Sequence, residues 1–135
     1  MPLSRREENV EFTSRKRADV VVAAPVGAID HGNALSLQQA LRPFVEDGPA
    51  GAAPLVLDFT GVDYISSMGL RVLMVASKAM RARHTPMAIA GLQSAVEEIF
   101  DIARFRFVVD VFPSVREALA AVSPAAVAAY DASPT

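Results

Sequence analysis

A chain of 135 residues, 52% hydrophobic and 21% charged, has the make-up of one globular domain, long enough to bury a core and too apolar to be disordered. Thirteen basic against fifteen acidic residues leave a formal charge of −2, which gives no reason to expect nucleic acid as a partner. The lack of cysteine excludes disulfides and thiol chemistry, and no apolar run approaches the roughly twenty residues that span a membrane.

In chain order, residues 1–9 are polar and expected to be flexible, with no apolar segment of the kind a signal peptide needs, so a cytoplasmic protein is expected. Val10–Thr13 alternates and predicts an edge strand, with Ser14–Asp19 as a turn and Arg15-Lys16-Arg17 at a solvated hairpin tip. Val20–Ala24 predicts a strand that Pro25–Asp30 ends or bulges. Asn33 opens a helical pattern with Leu35, Leu37, Leu41 and Phe44 apolar, which Pro43 should bend or shorten. Gly48–Gly51 reads as a loop.

Leu55–Phe59, bounded by Pro54, predicts a strand buried on both faces. Thr60-Gly61 is a turn signal, and Val62 and Ile65 belong to a short extended piece with both expected inside. A helix then opens at Ser66-Ser67-Met68-Gly69, with Leu70, Leu73, Met74 and Ser77 at helical spacing, and fades near Arg83–Pro86. Serine suits a helix start because its oxygen accepts the unpaired N–H groups of the first turn.

Met87–Ala90 predicts a further buried strand closed by Gly91. Ser94–Glu97 has capping-box form and opens a helix through Ile99 and Phe100. Phe107–Val111 is expected to be the last strand. Ser114–Glu117 is a second capping box, whose helix runs through Val122 and stops at Ser123-Pro124. The tail, residues 124–135, is expected to add a helical turn or to be disordered. Alternation of this kind predicts one α/β domain over residues 10–123. Its sheet would be mixed but mostly parallel, with about five strands and about four helices.

Chemistry of a catalytic kind is sparse. His84 follows a basic helix end and reads as a surface residue, while His31 could share a sheet edge with Ser67. A Ser67–His31–Asp hydrolase lacks the Gly-x-Ser-x-Gly elbow, and no metal-ligand spacing or phosphate-cradling glycine loop is present. The expectation is a protein that is not an enzyme and needs no cofactor or metal.

The serine pair remains. The stretch LVLDFTGVDYISSMGLRVLM, residues 55–74, closely resembles the signature of the STAS family, named for sulfate transporters and anti-sigma factor antagonists. Val26–Asp30 resembles the Gly-x-Leu-Asp element before the family's first helix, and Ser114–Leu119 resembles the segment that opens its last one. The similarity runs in register from about Val10 to Ser123.

The resemblance implies a function. Stand-alone members are phosphorylated on a serine at this helix start by an ATP-binding partner kinase that is also an anti-sigma factor. Unphosphorylated, they bind the kinase and free the sigma factor, and a serine phosphatase restores them. Matching the motif places the phosphoacceptor at Ser67, two before Gly69, with Ser66 as second choice. Ser66 stands where many members carry Asp, and Met68 where a small residue is usual. The implied partner surface comprises Asp30, His31, Ser66, Ser67, Met68, Gly69 and Arg71, with Lys78 two turns beyond Arg71. Neither nucleic acid nor membrane is an expected partner, and the chain should be a monomer or weak dimer. The other reading is a STAS binding subunit without phosphorylation, as in a lipid-transport ABC complex.

Overall fold

Strand residues alternate between two buried faces: Val21 and Ala23 point one way and Val20 and Val22 the other, as do Leu55 and Leu57 against Val56, and Ile89 against Ala88 and Ala90. A strand with both sides buried needs cover on both sides, and helices supply it here. The computed structural model describes residues 10–46 and 53–133. The expected flexible segment 1–9 and the expected loop Gly48–Gly51 lie outside the described residues.

The elements run β1 (Glu11–Arg17), β2 (Val20–Ile29), α1 (Ala34–Val45), β3 (Leu55–Asp58), β4 (Val62–Ile65), α2 (Ser67–Ala82), β5 (Met87–Ala90), α3 (Ser94–Ile102), a 3₁₀ turn (Phe105–Phe107), β6 (Asp110–Phe112), α4 (Val115–Val122) and α5 (Pro124–Ala132). Sheet order is β1-β2-β3-β5-β6, with β1 antiparallel to β2 and the later pairs parallel. The fold is the expected α/β one, a mixed sheet, now with six strands and five helices among the described residues.

One face carries α1, α2 and α3. Their Leu37, Leu41, Leu73, Met80, Val96 and Phe100 pack on the larger strand residues. Phe100 meets Phe59 and Phe105 edge-on, with centroids 6.3 and 5.0 Å apart. The other face carries α4 and α5 on small residues, with Ala118, Leu119 and Ala126 buried.

Several local expectations are corrected. β1 runs to Arg17 and pairs with β2 along its length, from Glu11 with Val26 to Arg17 with Val20. Arg15-Lys16-Arg17 therefore lies in an edge strand, where charged side chains suit the exposed side, and the turn shrinks to Ala18-Asp19. β2 passes through Pro25 to Ile29 because it has two partners in succession. Val21–Ala23 pairs with β3 and Gly27–Ile29 with β4. The missing Pro25 N–H falls in the gap between those ladders, opposite the Thr60-Gly61 turn. A register shift after Gly27, at φ 96°, redirects the strand.

α1 ends two residues beyond Pro43. Ser94 is not a cap: Gln93 holds that position, its side chain donates to the Thr60 carbonyl, and Glu97 pairs with Arg106 instead. The last strand begins at Asp110 rather than Phe107, because Arg104 at φ 55° turns the chain and buries Phe105. At the second capping-box sequence Ser114 is the cap as read, its Oγ accepting from the Glu117 N–H at 3.2 Å, while the Glu117 carboxylate accepts from the Ser114 hydroxyl at 3.3 Å rather than from its backbone N–H. The tail forms a full helix, because Ser123 caps it, accepting from the Ala126 N–H at 3.2 Å while its own hydroxyl bonds Asp19 at 2.6 Å. Residues 134–135 lie outside the described part.

Candidate functional site

Two parallel strands, β2 and β4, end side by side with Ile29 opposite Ile65. The chain leaves each strand at the same edge, so the loop Asp30–Asn33 and the helix start Ser66-Ser67 are neighbours. A backbone bond closes the junction, the Ser66 N–H donating to the Ile29 carbonyl at 2.8 Å.

Each side of this edge is braced locally. The Asp30 N–H donates to Asn33 Oδ1 at 2.8 Å, and the Asn33 N–H to Asp30 Oδ1 at 2.9 Å. Asn33 is buried and its Nδ2 donates to the Ala28 carbonyl at 2.8 Å, tying the loop to the strand. This bracing role was not read from the sequence, where Asn33 only opened a helix; the reciprocal Asp-x-x-Asn spacing is the signal that carried it. Asp30 and His31 are left exposed on the loop.

The adjacent serines divide their roles. Ser66 is the extended N-cap of α2, buried, and its Oγ accepts from the Gly69 N–H at 3.1 Å. Such a cap is worth about 1 kcal/mol. Ser67 is the first helical residue, exposed, and its hydroxyl makes no hydrogen bond among the described residues. Met68 beside it is also exposed, as is Arg71, one turn along the same face. Lys78 is exposed further along α2. Leu35, in the first turn of α1, adds a second exposed apolar side chain that was not among the expected surface residues.

Gly69 has a different job from the rest. It is buried, and a Cβ there would stand 2.7 Å from Ile65 Cγ1 and 2.8 Å from Ile29 Cγ2. Its missing side chain lets α2 seat directly on the ends of β2 and β4, which sets where Ser67 emerges. Gly69 and Ser66 thus lie beneath the surface formed by Asp30, His31, Ser67, Met68 and Arg71.

Chemically the edge offers an exposed hydroxyl at a helix N-terminus, where backbone N–H groups and the positive end of the dipole favour an anion. No hydrogen bond joins Ser67 to His31 among the described residues, and the Asp30 carboxylate is engaged with Asn33. His84 sits at the far end of α2 with φ 53°. No group of three possible metal ligands occurs among the described residues, and no helix of the described residues is long and apolar enough to cross a membrane.

Known proteins bear on this geometry. A family model described as STAS domain matches residues 11–118. A candidate anti-sigma factor antagonist of Bordetella bronchiseptica, BtrV, is 33% identical over 112 residues, covering 83% of this chain and 93% of that protein. The crystal structure of an anti-sigma factor antagonist from Mycobacterium paratuberculosis superposes with a TM-score of 0.76 at 23% identity, covering 85% of this chain and 95% of that one. The Bacillus cell fate determinant SpoIIAA, in its phosphorylated form, has the same fold, with a TM-score of 0.60 at 14% identity over 84% of this chain and 99% of that one. With the signature stretch, the shared fold and the family match in agreement, the chain belongs to the STAS domain family.

Proposed function

We propose that this protein is an anti-sigma factor antagonist whose switch is phosphorylation of Ser67. In its unphosphorylated form it binds an anti-sigma factor that is also an ATP-dependent serine kinase, and so releases a sigma factor in the cytoplasm. Transfer of the γ-phosphoryl group to Ser67 ends binding, and a serine phosphatase reverses it. The protein acts by docking rather than turnover.

The observation that carries this reading is the division between the serines: Ser66 is buried and committed to the cap, while Ser67 is exposed and uncommitted. A kinase can reach the second without disturbing the first. The added phosphate brings about −1.5 to −2 charge, which the helix N-terminus tolerates, so the fold persists. The same charge in the middle of a docking surface must be desolvated or repelled, so the partner leaves. The existence of SpoIIAA in a phosphorylated form, and the naming of BtrV, support the assignment.

Two measurements test it. Incubation with the cognate kinase and ATP, followed by peptide mass spectrometry, should find phosphate on Ser67; phosphate on Ser66 alone, or on neither, contradicts the assignment. Titration calorimetry should find Ser67→Ala binding within a few-fold of wild type and folded Ser67→Asp at least about tenfold weaker, a difference of about 1.4 kcal/mol. Wild-type affinity in Ser67→Asp would instead favour a STAS binding subunit that is not switched by charge.

A further inference from the structure

At the other end of the sheet lies a surface that the switch does not use. Ile102, the last residue of α3, is 81% exposed and Phe107, the last of the 3₁₀ turn, is 85% exposed. Single exposed apolar residues are ordinary, but these two line the same shallow concavity of about 540 Å³, with Phe100, Asp101, Arg104 and Arg106. Arg104 makes the turn between them at φ 55°, an unfavourable conformation for a residue with a side chain. The strained turn brings Phe107 back beside Ile102 while Phe105 goes into the core.

The charges around the pair say what it fits. Arg106 is occupied within the chain, bonding Asp101 at 3.0 Å and Glu97 at 2.9 Å. That leaves Glu98, one turn before Ile102, and Arg104, just after it, both exposed and neither paired among the described residues. One acidic and one basic group flanking an apolar centre form a self-complementary patch. A two-fold axis through such a patch brings each Glu98 to the other copy's Arg104 and sets the apolar pairs together. A foreign acidic or basic segment would satisfy only one of the two.

We propose that this surface is a homodimer interface, with Ile102 and Phe107 at its centre and Glu98–Arg104 pairs across it. α2 runs from Ser67 at one end of the sheet to the Arg83–Pro86 turn at the other, and the Phe107 side lies by that turn. Both Ser67 sites therefore stay outward and free in the dimer, and dimerisation is independent of the phosphorylation state. This inference does not depend on the switch reading.

Sedimentation equilibrium of the full chain over a wide concentration range tests it. Wild type should dimerise. Phe107→Ser, which removes an exposed side chain and leaves the fold alone, should weaken dimerisation at least tenfold. Glu98→Arg and Arg104→Glu should each weaken it, and the double swap should restore it, whereas Ser67→Asp should leave it unchanged. A wild-type chain that stays monomeric up to about 1 mM overturns the proposal. So does a dimer indifferent to Phe107→Ser, a double swap that fails to restore, or a patch that binds only a different protein.

Discussion

The two ends of α2 are secured by the same kind of bond, a side-chain group reaching backbone, and they leave opposite surfaces behind. At the first end, Ser66 Oγ accepts from Gly69 three residues on, so the brace is contained within the helix start. At the second, Ser77 Oγ and Arg81 Nη2 donate to the Val108 carbonyl, across 31 and 27 residues of chain. The local brace presents an exposed hydroxyl in a fixed place. The long-range brace pins the segment before β6 and leaves Phe107 standing out beside it. A site made of adjacent residues can be modified without loosening the sheet, whereas a site made by chain closure depends on the whole domain.

The harshest test of that contrast removes the frame both ends share. Val56 is fully buried in β3 against α4, and Val56→Asp places an unpaired charge there. The cooperative melt should disappear by circular dichroism, and both surfaces with it; a variant melting near wild type would contradict the placement of β3.

A smaller change acts at the first end alone. Gly69→Ala forces a methyl against Ile65 Cγ1 and Ile29 Cγ2, branch atoms close to the backbone that cannot swing aside. Overpacking of that sort costs about 1–3 kcal/mol, against a gain of up to about 1 kcal/mol from replacing glycine in a helix. The expected outcome is a net loss of stability with a displaced Ser67, read as a lower Tm and weaker partner binding. A raised Tm with unchanged binding would show that Gly69 does not set the height of the helix.

The finest comparison sets one serine against another. Ser66→Ala should cost about 1 kcal/mol and speed amide exchange in the first turn of α2. Ser77→Ala should cost less, because Arg81 still supplies the Val108 carbonyl, and its exchange effect should appear around Val108 and β6 instead. Equal effects at both ends would mean that the braces are not distinct.

These contrasts track what could be read before the structure was known. The helix starting at the serine pair, the strand Met87–Ala90 and the cap at Ser114 were all legible, because each depends on neighbours within a few residues. The Ser94 box and the strand at Phe107 were misread, because a distant arginine took Glu97 and the burial of Phe105 set the turn at Arg104. The edge strand β1 was legible only over its first residues, for a related reason: the charged residues that carry it on to Arg17 look like a turn until β2 is there to pair with them.

The sequence by itself determined the alternation of strand and helix, the position of the exposed-hydroxyl motif and the family, since periodicity, caps and signature residues are local properties of the chain. Only the tertiary structure decided that Ser66 is buried while Ser67 is open, that Gly69 is a seat for the helix rather than part of the surface, and that Ile102 meets Phe107 across a strained turn. Burial and close approach are set by which strands end side by side. That depends on contacts between residues far apart in the chain, which no short stretch can specify.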